Sequence, residues 1–145
     1  MRLWHQKLIP FLDNKRLLGQ HRECCALRGK GWKKKHSVVD YVFTYDLAHL
    51  YAYHICVINE LIKRGYHIDS NWYLRIYRGK NLPCIALSEV GTFNAFTDDN
   101  NSYIYKEHGD KYLKECLLNL WSKGAELING QSLEKMLVEL DLNDS

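Results

Sequence analysis

Between Asn14 and Arg28 the only acid is Glu23, and Arg16, Arg22 and Arg28 surround it with positive charge. Read as a helix, the run puts Arg16, Gly19, Gln20 and Glu23 on one stripe, because side chains three and four apart share a face. Leu17, Leu18, His21, Cys24 and Cys25 make the opposite stripe, with the spacing of a core face. Glu23 then points away from the core. Gly19 and Ala26, one turn before and one turn after it, leave room for something bulky to approach. A carboxylate so placed can pass a proton or stabilise a cation that forms during a reaction, and the cationic face suits a polyanion. A solvated helix with weak surface ion pairs would show the same pattern.

The stretch after this helix has a matching character. Arg28-Gly-Lys-Gly-Trp-Lys-Lys-Lys-His36 has two glycines, five basic residues and Trp32. It reads as a flexible loop able to hold phosphates and stack on bases, or as a solubilising loop. The net charge of +3 conceals this segregation. Residues 1–36 hold ten Lys and Arg against two acids, a net of +8, whereas residues 37–145 hold ten against fifteen, a net of −5. Positive charge gathered into the first quarter of a chain is the footprint of a nucleic-acid backbone. There is no basic helix with an opposed Trp/Phe/Leu face to favour a membrane surface.

The elements that must hold these groups are helical. Asp13 is a plausible N-cap, so a first helix starts near Phe11–Asn14 and ends at Gly29. Val38 to Phe43 is a short strand or the lead-in to a helix. A second helix, capped by Thr44 or Asp46, has Leu47, Leu50, Tyr51, His54, Ile58, Leu61 and Ile62 as its core face, the strongest periodic signal in the chain. Glu60 and Arg64 add an i,i+4 pair, and Gly65 stops the helix. His49 and His54 do not share a face well enough to bind a metal together, and His54 reads as a core histidine. Residues 66–83 are mostly loop with a basic turn at Tyr77-Arg78-Gly79-Lys80, and residues 84–101 are rich in turns. Asp110 to Lys123 is a third helix, with Tyr112, Leu113, Cys116, Leu117 and Leu120 inward. Ser132 to Leu142 is a fourth, capped by Ser132. The expected fold is all-α, a compact bundle of three to four helices with long irregular loops.

Length and composition set the outer bounds. A chain of 145 residues is expected to form one domain with its own core. No apolar run approaches a membrane span, and the start Met-Arg-Leu-Trp-His has no secretory pattern. Five cysteines, an odd number, point to reduced thiols and a cytoplasmic setting. The Cys24-Cys25 pair lies on the core stripe and reads as packing.

Three places, in order, resemble the pyrimidine dimer DNA glycosylases, the small UV-damage endonucleases of the phage type. They are Leu12-Asp-Asn-Lys-Arg-Leu-Leu-Gly-Gln-His-Arg22-Glu23; the stretch from His36 through Phe43-Thr-Tyr-Asp46 into Glu60-Leu-Ile-Lys-Arg-Gly-Tyr66; and Tyr77-Arg-Gly79. The start Met-Arg-Leu-Trp also resembles bacterial members. The resemblance covers roughly residues 1–83, a glycosylase-like core with a basic face. Residues 84–145 are read as an acidic, helical extension packed on it.

The resemblance implies an all-α glycosylase and AP lyase that needs no metal or other cofactor and acts on double-stranded, damaged DNA. Its nucleophile would be the main-chain α-amino group of Met1, which the bulky Arg2 should keep in place, and its carboxylate would be Glu23. The amine would attack the deoxyribose C1′ of a dimer's 5′ pyrimidine, form a Schiff base and cleave the strand by β-elimination. An α-amine titrates near pH 8, so about a tenth is free base at neutral pH, and nearby cations raise that share. The groups expected on DNA are Arg2, Arg16, Gln20, Arg22 and Arg28, then Lys30, Trp32, Lys33, Lys34, Lys35 and His36. Ala26 stands where the family carries an Arg, and Arg28 is the candidate replacement. The protein is expected to be a monomer. The competing readings are a non-catalytic DNA-binding protein of the same fold, and a nuclease or RNA-processing protein using the same basic face.

Overall fold

The computed structural model describes residues 2–34, 39–93 and 103–143. Met1, Lys35 and His36, named above, lie outside the described residues. Among the described residues the secondary structure is all helical, as expected, with no strand. The helices are α1 (Asn14–Arg28), α2 (Leu47–Lys63), α3 (Leu87–Val90), α4 (Asp110–Ser122) and α5 (Leu133–Asn143). Short 3₁₀ segments occupy Gln6–Phe11, Asp40–Thr44 and Ser70–Tyr73. Val38 lies outside the described residues, and from Val39 to Phe43 the apolar run is a lead-in to α2 and not a strand.

The sequence signals for the helix ends are the ones used. Asp13 caps α1, its carboxylate accepting from the Arg16 N–H at 2.9 Å. Asp46 stands at the N-cap of α2, but its carboxylate accepts from Thr92 N–H at 3.1 Å and not from the helix itself. Ser132 Oγ accepts from Lys135 N–H at 3.1 Å at the start of α5. In α4, Leu113, Cys116, Leu117 and Leu120 are buried as the spacing predicts, while Tyr112 is only half-buried.

The core face of α2 differs from its expected position. Leu47, Ala48, Leu50, Tyr53, His54, Val57, Ile58 and Leu61 are buried, whereas Tyr51 is half-buried and Ile62 is 45 % exposed. The buried arc is turned toward Tyr53 and Val57. The cause is tertiary: α2 is covered by α1 and also by the Gln6–Phe11 segment. A helix this apolar does not declare in its own sequence which flanks will be covered.

The two most extensive helix contacts are α1 with α2 and α4 with α5. The chain ahead of α1 lies within the core: Leu3, Trp4, His5, Leu8, Ile9 and Leu12 are all buried. Arg64, paired with Glu60 at 2.9 Å, also donates to Leu12 O at 2.7 Å and Pro10 O at 3.1 Å. It thereby fixes the turn that delivers the chain into α1. All five cysteines are free. No described helix is long and apolar enough to cross a membrane.

Candidate active site

Gln20 is where α1 meets the start of the chain. Its Oε1 accepts from Trp4 N–H at 2.6 Å, and its Nε2 donates to Arg2 O at 3.0 Å. The Tyr53 hydroxyl on α2 donates to Trp4 O at 2.5 Å. Gln20 is 2 % exposed. This corrects its reading as a DNA contact: the N-terminal segment runs across that part of the helix face and closes it to solvent. Helical periodicity cannot register a second layer of chain laid over a polar stripe.

Glu23 is three residues further along α1, on a neighbouring position of the same face. The residue is half-buried, and its Oε2 has no hydrogen-bond partner among the described residues despite being shut off from bulk solvent. A buried carboxylate oxygen left without a donor is uncommon and calls for a partner. Arg22, next to it, is exposed and folds back over Gly19, whose Cβ, were there one, would sit 3.8 Å from Arg22 Nη2. Arg16 is ion-paired to the helix cap, its Nη1 2.7 Å from Asp13 Oδ2. Arg2 is half-buried, with its guanidinium 5.7 Å from the Trp4 ring centre.

Arg28 is a second correction. It was expected to face DNA in place of the Arg missing at Ala26, but it is fully buried. Its Nη1 donates to Trp72 O at 2.9 Å, and its Nη2 donates to Leu74 O at 2.8 Å and Tyr77 O at 3.3 Å. It lies over the Trp72 and Tyr51 rings at 5.0 and 5.3 Å. A planar fork of donors suits a bend of carbonyls, and the ring faces take up the charge. The residue holds the segment after α2 against the end of α1 and has no surface left for a phosphate.

Beside Arg28, the other stripe of α1 makes an arrangement that periodicity presented as packing. His21 Nδ1 lies 2.8 Å from His54 Nε2, and Cys25 Sγ lies 3.7 Å from His21 Nε2 and 3.9 Å from His54 Nε2. Their ligand atoms fall within 4.8 Å of one another, close enough to consider a metal. The hydrogen bonding argues otherwise. Arg28 Nη1, which can only donate, is 3.0 Å from His54 Nδ1. That makes Nδ1 the acceptor, leaves the proton on Nε2, and directs it to His21 Nδ1. Burial first, then the nearby Arg charges, push both histidines below the usual imidazole value. Burial pushes the Cys25 thiol up to about 12, so it keeps its proton at neutral pH. The set is a neutral relay ending on a buried guanidinium, and His54 is the core histidine it was expected to be.

The basic loop leaves α1 sharply. A Cβ on Gly31 would lie 2.8 Å from Ala26 O, so the chain doubles back closer to the helix end than any side chain allows. Lys33 adopts the left-handed conformation, φ 62°. Arg78 donates to Gly29 O at 2.9 Å and Arg28 O at 3.3 Å, satisfying carbonyls that the helix end leaves open. Lys30, Lys33 and Lys34 are exposed. Trp32 is half-buried and packs edge-on against Phe43 at 5.3 Å, so part of its ring belongs to the core and not to a stacking platform. Among the described residues, the exposed cations of the expected set are therefore Arg22, Lys30, Lys33 and Lys34.

The long-range backbone bonds of Tyr53, Tyr112, His108 and Arg64 had no signal in the sequence. Each of these residues bonds a backbone group more than forty residues away. No local spacing marks such a bond.

No curated protein and no solved structure matches the chain. The sequence model of a family described as pyrimidine dimer DNA glycosylase matches residues 1–74, from the N-terminal segment through α1 and α2 to Leu74, whose carbonyl Arg28 holds.

Proposed function

The chain belongs to the pyrimidine dimer DNA glycosylase family, and from that premise we propose that it is a glycosylase and AP lyase using the Met1 α-amine as nucleophile and Glu23 as its carboxylate. The substrate is duplex DNA carrying a pyrimidine dimer or related base damage. The amine attacks the sugar C1′ and the damaged base leaves. The C1′–O4′ bond then breaks, O4′ takes a proton and an open-chain iminium forms; it loses a proton from C2′, and the 3′ phosphate departs by β-elimination. Glu23 helps to open the sugar ring, moves the protons of these steps and stabilises the cationic states. The unpartnered Oε2 is available for that work.

The observation that carries the reading is the pair of hydrogen bonds by which Gln20 holds the backbone of Arg2 and Trp4. It ties the start of the chain to α1 one turn before Glu23. In a chain starting at Met1, the amine is three covalent bonds from the Arg2 nitrogen, a reach of about 4 Å. Arg22, Lys30, Lys33 and Lys34 supply the phosphate contacts that any duplex would need.

The test is borohydride trapping on abasic and dimer-containing duplexes in the presence of EDTA. A covalent adduct mapped to the Met1 nitrogen is expected, because an α-amine is a hundredfold or so more available at neutral pH than a lysine near pKa 10.4. An uncleaved N-terminal extension should abolish trapping and spare DNA binding. An adduct on a lysine would refute the assignment of Met1, and no adduct on either duplex would refute the enzyme.

A further inference from the structure

Residues 103–129 lie beyond the stretch that the family model matches, yet they make half of the polar grip on the chain start. The Tyr112 hydroxyl on α4 donates to Leu3 O at 2.5 Å. Gln6 N–H donates to His108 Nδ1 at 3.1 Å, and Gln6 Oε1 accepts from Ile104 N–H at 2.7 Å. Ile128 N–H donates to Phe11 O at 2.9 Å, and Asn129 Nδ2 donates to Pro10 O at 2.6 Å. The rings reinforce the bonds: His108 stacks between His5 and Tyr112, at 5.4 and 5.2 Å with interplanar angles of 27° and 24°. His108 is itself oriented, since its Nε2 lies 2.8 Å from the Tyr41 hydroxyl. With Nδ1 accepting from Gln6, Nε2 must carry the proton, and burial keeps the ring neutral by lowering its pKa to about 3.

Along the segment the two sources of partners interleave. Arg2 O and Trp4 N–H go to Gln20, Leu3 O to Tyr112, Trp4 O to Tyr53, and Gln6 N–H to His108. Extended chain with no sheet neighbour would otherwise bury these groups unpaired. The family-matched helices hold the backbone of Arg2 and Trp4, and the C-terminal part holds that of Leu3 and Gln6.

We propose that residues 103–129 form a clamp that positions the N-terminal amine, with Tyr112 and His108 as its positioning residues. The proposal rests on the reading of Met1 as the nucleophile. A tethered amine reacts only from near-attack geometry, and an ångström of misplacement costs about a hundredfold in rate. Gln20 and Tyr53 alone hold only the backbone of Arg2 and Trp4. Tyr112 and His108 fix the groups between and after them, Leu3 O and Gln6 N–H.

The test compares the intact chain with Tyr112→Phe, which deletes one hydroxyl from the clamp, and with Gln6→Met, which deletes the acceptor for Ile104 N–H from the other side. Three quantities are read: amide hydrogen exchange, duplex affinity, and the rate of borohydride trapping on an abasic duplex. Exchange should quicken at the Trp4 and Gln6 amides and stay unchanged in α1 and α2. Trapping should slow about 10- to 100-fold. Duplex affinity should stay within about twofold, since the exposed lysines are untouched. Unchanged exchange and unchanged trapping in both variants would overturn the clamp while leaving the glycosylase reading intact. Exchange that rises evenly over α1 and α2 in both variants would also overturn it, because the contacts would then be general stability and not positioning. If the intact chain forms no adduct, the nucleophile reading fails; the exchange of Trp4 and Gln6 then decides by itself whether residues 103–129 hold the segment.

Discussion

Glu23 and Arg28 sit five residues apart on one helix, and their surroundings divide their roles. Glu23 keeps an unbonded carboxylate oxygen, whereas Arg28 has its Nη groups bonded to carbonyls of Trp72, Leu74 and Tyr77. Glu23→Gln should therefore fold normally and keep duplex affinity while losing strand cleavage. If denaturant unfolding shows that it is unfolded in water, Glu23 is a structural residue and the site assignment is wrong. Arg28→Leu should behave in the opposite way. The carbonyls of Trp72, Leu74 and Tyr77 would lose the guanidinium that gathers them, and a buried polar network would be broken at a cost of about 3 kcal/mol. A midpoint in urea equal to that of the intact chain would contradict this. Arg28→Lys should recover only part of the stability, since an ammonium cannot reproduce the fork.

At the scale of elements, the loop after α1 and the segment after α2 share one junction. Arg78 holds Gly29 O, Arg28 holds Leu74 O, and Gly31 lets the basic loop turn back on Ala26. The exposed lysines are thus carried on a loop anchored at its root. Replacing Lys33, Lys34 and Lys35 by Gln should weaken binding to every duplex alike. It should also reduce the slope of log K against log salt by roughly 0.9 for each phosphate that is no longer neutralised. A slope that does not change would place the DNA on another face. Gly31→Ala should weaken binding through the same element without altering charge, because a Cβ there meets Ala26 O at 2.8 Å and the turn must open. Unaltered affinity and unaltered loop exchange in Gly31→Ala would show that the anchored shape is not needed.

Folding keeps four histidines out of water to differing degrees. Burial lowers His5 to about 4 and His108 to about 3, and it also lowers His21 and His54. In the unfolded chain these groups take up protons near pH 6.5. Below that pH the unfolded state binds more protons than the folded one, so stability rises with pH across the window and is lost on acidification. Thermal unfolding should be nearly independent of pH above about 7 and fall steadily from about 6.5 toward 4. A melting temperature that holds level from pH 7 to 5 would mean that these histidines are not buried neutral. Trapping activity should fail over the same acid range for a second reason, the protonation of the α-amine itself. The two causes separate by circular dichroism: at pH 6 the chain should still be folded while trapping has already slowed.

Local chemistry was enough for the helices and their ends. Asp13, Ser132 and the spacing of Leu113, Cys116, Leu117 and Leu120 act over three or four residues, and a sequence displays interactions of that range directly. The segregation of charge into residues 1–36 is written in composition alone, and the order of the Leu12–Glu23, His36–Tyr66 and Tyr77-Arg-Gly79 stretches carries the resemblance to the family. How far the covered face extends on α1 and α2 was not legible. Gln20 and Arg28 carry polar side chains at positions that suit a DNA surface, and both are buried because another stretch of chain bonds to them: Arg2 and Trp4 in one case, Trp72 to Tyr77 in the other. The clamp from Ile104, His108 and Tyr112 spans about a hundred residues of sequence and leaves no periodic trace. Side-chain bonds to irregular backbone follow no repeat, so only the folded chain, by bringing both partners out of water together, decides where they form.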